Sequence, residues 1–311
     1  MAARKINRRQ IPFAMPGRRP ECEVCHIIWR GWGYNRRRMN NNKLSLLQIS
    51  DFHLFSDPRA ELMGLNTHDS LDSVLSHIRS GNRKPDLIIA SGDLVHDGSS
   101  AGYQRMEKML GSLPAPVYCM PGNHDDKQRL RDLLGRQCSD RHNVCAPNRV
   151  DLDGWRLILL DTVVNGEKYG HISTQELHRL EQELDSAADR QILIFLHHQP
   201  VPAGSAWLDS MQVKNAEALF DIVDSFSPVR AIAWGHVHQA FEGERNGVRL
   251  FSTPSTCIQF APASERFALD QTPPGWRWFE LGPDGRLDSD VERLQTLPQC
   301  DHSAEDAQGY S

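Results

Sequence analysis

The chain lacks the features by which membrane and exported proteins are recognised. None of its apolar runs reaches about 18 residues, which a membrane-spanning helix needs. Its N-terminus has no basic segment followed by an apolar stretch of about 7 to 15 residues, so no secretory signal is indicated. These absences predict a soluble, cytoplasmic protein that has no membrane partner.

Cysteine is also sparse. The seven cysteines of the 311-residue chain are odd in number and scattered, unlike the dense framework of a disulfide-stapled secreted domain. We therefore expect reduced thiols. With 39% apolar residues the chain is long enough to bury a full core, and one folded domain is the default interpretation.

Positive charge is scarce outside the N-terminus. Residues 1–38 hold nine Arg and one Lys against Glu21 and Glu23, a formal +8, which leaves −13 of the total −5 for the remainder. An acidic body repels nucleic acid, so a polynucleotide partner would depend on the basic segment alone. We expect no nucleic-acid partner.

Residues 1–43 show no helical or strand periodicity and are predicted to form a disordered basic extension. It is interpreted as a leader upstream of the true start, because Met39 lies five residues before the first credible strand; a polyanion-binding arm is the alternative. Cys22-Glu23-Val24-Cys25-His26 matches the C-x-x-C-H haem attachment motif. We regard this match as coincidental, since its flanks offer no haem pocket.

From Leu44 short apolar runs alternate with amphipathic stretches, which is typical of an α/β fold. The folded domain is predicted to span residues 44–297, followed by a polar tail over 298–311. Strands are predicted at 44–50, 87–91, 117–120, 156–161, 192–196, 231–234, 248–252, 276–281 and 291–294. Helices are predicted at 67–80, 101–111, 126–134, 174–187 and 212–226, with Thr174 as a candidate cap.

Polar residues of the kinds that bind metals follow five of these strands. Binding sites in open α/β sheets gather at the carboxyl ends of strands, so the five segments are expected to converge on one crevice. The residues are Asp51 and His53, Asp93, Asn123 and His124, His197 and His198, and His236 and His238.

Carboxylate, amide and imidazole ligands suit iron, manganese, zinc or cobalt, and the absence of cysteine from these motifs argues against a structural zinc site. A phosphodiester repels nucleophiles, and water is a poor nucleophile at neutral pH. Two cations about 3.5 to 4 Å apart overcome both difficulties, because they neutralise the phosphate and generate hydroxide. An aspartate can bridge two such cations through its two oxygens, whereas histidine and asparagine each bind one.

Five motifs together resemble the calcineurin-like metallophosphoesterases in order and spacing. They are Asp51-Phe52-His53, Gly92-Asp93, Gly122-Asn123-His124-Asp125, His197-His198 and Gly235-His236-Val237-His238. A single D-x-H has no diagnostic value, but five ordered motifs that each follow an apolar strand are highly specific. The resemblance implies an α/β sandwich of two mixed β-sheets flanked by helices.

The likeness narrows to the class III bacterial 3',5'-cyclic AMP phosphodiesterases and covers about residues 44–295. The segments that carry it lie mostly outside the metal motifs, so they bear on the substrate class. They are Leu54-Phe55, Gly64-Leu65-Asn66-Thr67, Asp97-Gly98-Ser99, Ser205-Ala206-Trp207-Leu208-Asp209, residues 253–260 and Pro274-Gly275-Trp276-Arg277. The implied reaction is hydrolysis of cyclic AMP to 5'-AMP by a hydroxide that two metal ions activate.

By this resemblance one metal would be held by Asp51, His53, Asp93 and His238. The other would be held by Asp93, Asn123, His197 and His236, with Asp93 as the bridge. The resemblance favours Fe and/or Mn, with Zn or Co as alternatives. His198 is the second choice for the position given to His197.

His124 would bind no metal and would stabilise charge on the phosphate or protonate the leaving oxygen, while Asp125 would orient it. The substrate phosphate would contact His53, Asp93, Asn123, His124, His197 and His238. His96 departs from the family pattern, which often has glutamine there.

Two other functions remain open at this point. The metal core is shared by enzymes acting on glycerophosphodiesters, 2',3'-cyclic nucleotides or nucleotide-sugar diphosphates. A non-catalytic metal-binding scaffold is the second alternative, but a degenerate homologue would usually lose a ligand or His124, and the set here is complete. The oligomeric state, monomer or dimer, cannot be read from the sequence.

Overall fold

The computed structural model describes residues 27–28, 43–135, 138–139, 142–187 and 189–296. The strands in chain order are β1 (Ile27–Ile28), β2 (Leu44–Ile49), β3 (Glu61–Leu62), β4 (Leu65–Asn66), β5 (Leu87–Ser91), β6 (Val117–Met120), β7 (Val144–Cys145), β8 (Arg149–Leu152), β9 (Trp155–Leu159), β10 (Gln191–Leu196), β11 (Val229–Trp234), β12 (Phe241–Arg245), β13 (Val248–Ser252), β14 (Gln259–Phe260), β15 (Leu269–Asp270), β16 (Gly275–Leu281) and β17 (Leu287–Arg293). The helices are α1 (Thr67–Ser80), α2 (Ser100–Leu110), α3 (Lys127–Leu134), α4 (Thr174–Asp185), α5 (Ala206–Asp209) and α6 (Ala216–Val223).

Most strands belong to two large sheets, each mixed. A six-stranded sheet has the order β17-β16-β2-β5-β6-β7, in which β2, β5, β6 and β7 are parallel and β16 runs antiparallel to both of its neighbours, β2 and β17. A seven-stranded sheet has the order β1-β8-β9-β10-β11-β13-β12, in which β9, β10, β11 and β13 are parallel. Its strands β8 and β12 pair antiparallel with β9 and β13. The predicted pair of mixed sheets is confirmed.

The two sheets pack face to face, and each buries its other face under helices. Alternate residues of a strand point to opposite faces, so Leu46 lies in the core between the sheets while Leu47 packs towards α1, α2 and α3. On the seven-stranded sheet Leu193 joins the core between the sheets, and Ile194 packs towards α4 and α6. This order of layers confirms the sandwich flanked by helices.

Five of the six helices in the described part of the chain were predicted and differ from the prediction only near their ends, whereas the short α5 was not predicted. Helix α1 has the predicted bounds, and its cap Asn66 accepts a hydrogen bond from the backbone N–H of Asp69. Helix α4 is capped by Ser173, one residue before the predicted Thr174. Helix α6 begins four residues later than predicted because the Asn215 side chain exchanges two hydrogen bonds with the backbone of Ile172, at 2.9 and 2.8 Å.

The cysteine expectation was wrong at one pair, because Cys138 and Cys145 form a disulfide between the segment after α3 and β7. Their Cα atoms are 5.6 Å apart, within the usual range for a bridged pair. Cys119 and Cys257 are free and buried.

The predicted N-terminal extension lies largely outside the described residues, as does the predicted tail over 298–311. The exception is Ile27–Ile28, which pairs in parallel with Val150 and Asp151 at the edge of the seven-stranded sheet, where no strand was predicted. No helix among the described residues is both long and apolar enough to span a membrane.

Candidate metal centre

The candidate ligands lie where the carboxyl ends of parallel strands from both sheets meet. Strands β2, β5 and β6 of one sheet are followed by Asp51 and His53, by Asp93 and by Asn123. Strands β10 and β11 of the other sheet are followed by the histidines. We call the seven residues the ligand cluster: Asp51, His53, Asp93, Asn123, His197, His236 and His238. All are buried except Asn123, which is half-buried.

The backbone of this region is held in an unusual conformation. Eight non-glycine residues of the described chain have a positive φ, and five of them belong to the ligand cluster. They are Asp51 (57°), His53 (48°), Asp93 (50°), His236 (64°) and His238 (49°). Such residues cost free energy and persist only where the surrounding structure imposes them, and they concentrate at functional sites. The fold therefore strains its backbone to direct these side chains inward.

Two glycines make the close packing possible. A Cβ at Gly122 would lie 2.2 Å from Asp93 Oδ1 and 2.7 Å from His197 Nε2. A Cβ at Gly235 would lie 2.1 Å from Ser50 Oγ and 2.8 Å from Asp51 Oδ2. Neither position admits a side chain without displacing a ligand, which gives a physical reason for the glycines of two sequence motifs.

Asp93 lies in the middle of the ligand cluster, and its two oxygens face different partners. Oδ2 lies 3.7 Å from His53 Nε2, and Oδ1 lies 3.3 Å from His197 Nε2. The backbone N–H of His124 donates to Oδ1 at 2.9 Å, which fixes the carboxylate. A carboxylate so placed could serve two cations at once.

On the Oδ2 side of Asp93, three buried donors lie together. His53 Nε2 is 3.2 Å from His238 Nε2, and His238 Nε2 is 3.4 Å from Asp51 Oδ1. The other ring nitrogen of His238, Nδ1, lies 2.8 Å from the backbone carbonyl oxygen of Ile258, so its Nε2 is left to face the cluster. The carbonyl thus selects the nitrogen available for binding, as second-layer partners of metal-binding histidines do.

On the Oδ1 side the donors come from both sheets. His197 Nε2 is 3.2 Å from Asn123 Oδ1, while His197 Nδ1 is 2.9 Å from the carbonyl oxygen of Ser91. His236 has ring nitrogens within 4.8 Å of those of His197 and His198, and its backbone N–H donates to the Asp51 carboxylate at 3.1 and 3.2 Å.

His198 is also drawn into this side of the site. Its Nδ1 lies 2.8 Å from Thr162 Oγ1, and its Nε2 is fully buried without a hydrogen-bond partner. The Nε2 atom of His236 is likewise buried and has no hydrogen-bond partner. Buried polar atoms without partners are rare in native proteins, and here they indicate a ligand that is to be bound. His197 has the shorter links to Asp93 and Asn123, so it remains our first choice over His198.

Burial keeps most of these histidines neutral. It is the main reason that the pKa values of His53, His198 and His236 lie well below the usual value, and neighbouring histidines add to the effect in each case. Neutral imidazole is the form that binds a metal, so these rings need lose no proton when a cation enters.

Asp93 creates a strong negative field within the cluster. Burial would raise the pKa of Asp93, but His197, His124 and His53 hold it well below the usual value. Burial would lower the pKa of His197, but the carboxylates of Asp93 and Asp51 and the carbonyl of Ser91 together raise it to about 9. The field that favours a proton on His197 equally favours a bound cation.

The donor set therefore fits metal ions. Among the described residues, four overlapping groups of three possible ligand atoms lie within 4.8 Å of one another; two of them join carboxylate oxygens to imidazole nitrogens, and two consist of imidazole nitrogens alone. Oxygen and imidazole donors without thiolate suit iron, manganese, zinc or cobalt. The orphaned Nε2 atom of His236 would be satisfied by a metal ion bound there.

His124 lies beside the ligand cluster and is half-buried. Its ring meets that of His53 edge to face, with centroids 5.0 Å apart. The partial exposure leaves it accessible to a substrate.

Asp125 is close to the site, but its position corrects the expected role. Its two carboxylate oxygens accept hydrogen bonds from the backbone N–H groups of Leu94, Val95 and Gly122 and from Tyr103 Oη, at 2.8 to 3.0 Å. These contacts join the Asp93 loop to the Asn123 loop. Asp125 therefore positions two ligand loops, and its hydrogen bonds do not orient the His124 ring as predicted.

One side chain of the site was missed by the sequence reasoning. His96 Nδ1 lies 3.0 Å from His53 Nδ1, and the His96 ring stacks on that of His124 with centroids 4.2 Å apart and planes 20° apart. The only signal in the sequence was that His96 departs from the glutamine common in the family.

A cleft of about 570 Å³ opens on another side of the site, beside Asn123, with Lys127, Arg131 and Asn165 in its wall. It is large enough for a small organic ligand.

The sequence model of the family described as "Calcineurin-like phosphoesterase" matches residues 44–240. The chain belongs to this family. Its fold agrees, since it resembles a dimetal phosphatase from Danio rerio with a TM-score of 0.55, covering 80% of this chain and 98% of that one at 17% identity.

Other relatives are more similar in sequence to this chain than the Danio rerio phosphatase is. The chain is 38% identical over 252 residues to the 3',5'-cyclic adenosine monophosphate phosphodiesterase CpdA of Pseudomonas aeruginosa, covering 81% of this chain and 90% of the relative. It is 40% identical over 253 residues to the protein of the same name from Escherichia coli strain K12, covering the same shares. The likeness therefore extends across nearly the whole of each relative.

Proposed function

We propose that this protein is a 3',5'-cyclic AMP phosphodiesterase that hydrolyses the cyclic phosphodiester to 5'-AMP at a two-metal centre. The observation that carries the proposal is the identity of 38 and 40% with two proteins named CpdA, along 90% of their length. The complete ligand cluster supports catalysis, because a degenerate binding module would be expected to lose donors.

The two oxygens of Asp93 suggest how the ions are shared. Asp51, His53 and His238 lie on its Oδ2 side, and Asn123, His197 and His236 on its Oδ1 side, so each group would hold one ion with Asp93 between them. When bound, such ions lower the charge of the phosphate and the pKa of water. We propose Fe and/or Mn, which the mixture of oxygen and imidazole donors suits.

The remaining chemistry falls to the protein's own residues. We propose that the phosphate lies against His53, Asp93, Asn123, His124, His197 and His238. Water loses one proton to solvent and its oxygen bonds to phosphorus opposite the 3'-oxygen, the bond from phosphorus to that oxygen breaks, and the phosphate stays on the 5'-oxygen. His124, half-buried at the mouth, is placed to give a proton to the departing 3'-oxygen. Burial of the other donors excludes bulk water from them.

The proposed partner is a small cyclic nucleotide, and the proposed compartment is the cytoplasm. The predicted domain limits, 44–297 for the catalytic unit, are retained as part of the proposal. Strands β2 to β17 fall inside them.

The proposal is tested with full-length protein that has been stripped of metal and reconstituted with Mn²⁺ or Fe²⁺. We expect kcat/KM to be highest for 3',5'-cyclic AMP among a panel that includes 2',3'-cyclic AMP, glycerophosphocholine and a nucleotide-sugar diphosphate, and 5'-AMP to be the product. A higher kcat/KM for any other member would assign a different substrate, and release of 3'-AMP from 3',5'-cyclic AMP would show that the bond to the 5'-oxygen is broken instead.

A further inference from the structure

His96 contacts two residues of the proposed active site that have different functions: His53, a proposed metal ligand, and His124, the proposed proton donor. His96 lies three residues after Asp93, and its backbone N–H donates to the carbonyl of Leu54 at 2.7 Å, which ties its loop to the segment that follows His53. The next residue, Asp97, accepts from the backbone N–H of Ser56 at 2.8 Å and of Ser99 at 3.1 Å. These hydrogen bonds fix the backbone at His96 and at the residue after it, which limits where the His96 ring can lie.

The first contact of the ring is with His53. Since His53 Nε2 faces Asp93 and His238, its Nδ1 points away from the ligand cluster, towards His96 Nδ1 at 3.0 Å. A neutral imidazole that binds a metal through Nε2 carries its proton on Nδ1, and that N–H needs an acceptor. His96 Nδ1 is an acceptor at hydrogen-bond distance.

The second contact is with His124. The two imidazoles are nearly parallel, with planes 20° apart and centroids 4.2 Å apart. The ring of Phe55 also contacts His96, with centroids 4.7 Å apart, and the carbonyl of Phe55 accepts two hydrogen bonds from Arg105 at 2.9 Å. His96 thus gives the ring of His124 a supported surface that limits its rotation.

We propose that His96 is a positioning residue with two separable functions. Its Nδ1 accepts the proton of His53 Nδ1–H and so holds His53 in the tautomer that binds metal through Nε2. Its ring face holds His124 in the orientation that protonates the leaving oxygen. The second function depends on the proposed phosphodiester hydrolysis, whereas the first concerns metal binding alone.

Three substitutions separate these functions. His96→Gln keeps an acceptor but removes the ring, His96→Phe keeps a ring but removes the acceptor, and His96→Ala removes both. His77→Gln is the matched control, because His77 is also a half-buried histidine in contact with an aromatic ring, Trp276, but lies outside the site.

The first measurement is the affinity of metal-stripped, full-length protein for Mn²⁺, determined by competition with a chelator. Loss of a second-layer partner typically weakens metal binding by about 10- to 100-fold. We expect a loss in this range for His96→Phe and His96→Ala, and wild-type affinity for His96→Gln and His77→Gln.

The second measurement is the ratio of kcat for cyclic AMP to kcat for bis(p-nitrophenyl) phosphate, whose leaving group needs little protonation, at saturating Mn²⁺. We expect the ratio to fall by up to about tenfold in His96→Gln and His96→Ala, the scale of one aromatic contact, and to be retained in His96→Phe.

Either of two outcomes overturns the proposal. If the Gln and Phe variants lose the same property to the same degree, or if all three variants match the wild type, His96 positions neither ring. An equal loss of Mn²⁺ affinity in His77→Gln would show a general loss of stability instead. Because the Mn²⁺ measurement needs no turnover, an inactive wild type would refute the proposed substrate and leave the contact with His53 testable.

Discussion

Two groups of buried polar residues in this protein are built in opposite ways. The ligand cluster gathers carboxylates and histidines on a backbone with five positive φ angles, and it leaves the Nε2 atom of His236 without a partner. About the hairpin of β8 and β9, four charged side chains instead pair with one another. We call these the ion-pair network: Arg149, Asp151, Arg156 and Glu183.

The charges of the ion-pair network are balanced among its own members. Arg149 Nη1 lies 2.7 Å from Glu183 Oε2, and Arg156 Nε lies 2.7 Å from Asp151 Oδ1. Arg156 Nη1 also donates to the backbone carbonyl of Glu183 at 2.7 Å. Arg149 Nε has no hydrogen bond, but it lies 3.4 Å from Asp151 Oδ2, so the two positive and two negative charges balance within the network, which fastens α4 to β8 and β9. The difference teaches that burial alone does not mark a binding site, whereas burial with unpartnered donors and a strained backbone does.

The largest effect is expected from removing Asp93, which lies between the two sides of the ligand cluster. Asp93→Ala deletes both oxygens that face His53 and His197, so we expect loss of bound metal and of measurable turnover with retained folding. Elemental analysis, kinetics and circular dichroism check these three outcomes. A variant that kept its metal would show that Asp93 is not the bridge.

Next in size is the loss of a side chain that lies beside the ligand cluster and is proposed to bind no metal. His124→Ala should keep both ions and lower kcat for cyclic AMP by about 10²- to 10⁴-fold, the usual contribution of a general acid. Bis(p-nitrophenyl) phosphate should be affected less, because its leaving group needs little protonation. Equal losses on both substrates would indicate phosphate binding, and unchanged rates on both would remove His124 from the mechanism.

A substitution in the ion-pair network is expected to lower stability without affecting metal binding or catalysis. Glu183→Ala leaves Arg149 and Arg156 short of one anion in a buried setting, and breaking a buried ion pair costs about 3 to 5 kcal/mol. We expect the free energy of unfolding, measured in urea, to fall by roughly this amount, while metal content and kcat at 25 °C match the wild type. If metal content fell as well, the two groups would not be independent.

The smallest effect is expected at the edge of the same sheet. A chain that begins at Met39 loses β1, whose two residues pair with Val150 and Asp151. Each backbone hydrogen bond contributes about 0.5 to 1.5 kcal/mol net, so the melting temperature should fall slightly and the catalytic rate should not change. A large loss of either would show that the predicted N-terminal extension is needed for folding or activity.

The sequence predicts the ligand cluster well because of how strands are encoded. Buried parallel strands read as short apolar runs, so the ends of β2, β5, β6, β10 and β11 could be located, and the metal-binding residue types stand directly after them. Edge strands lack this signal. Strand β12 carries Glu242, Glu244 and Arg245 in five residues, and its pairing with β13 could be seen only in three dimensions.

Contacts made by loops were also beyond the sequence. The hydrogen bonds of Asp125 to Leu94 and Val95 depend on the path of a loop about thirty residues away, and so does the approach of His96 to His53. Likewise, the side-chain hydrogen bonds that keep Asn215 out of α6 involve Ile172, 43 residues earlier. The spacing of residues along the chain does not predict such contacts between distant segments.

The most direct test of the two-metal account is a titration of metal-stripped, full-length protein with Mn²⁺ while cyclic AMP hydrolysis is followed. The account predicts no turnover without metal and a rise that saturates when two ions are bound per chain, with both ions counted by elemental analysis. Full turnover of metal-free protein in a strong chelator would contradict it, as would saturation at a single bound ion.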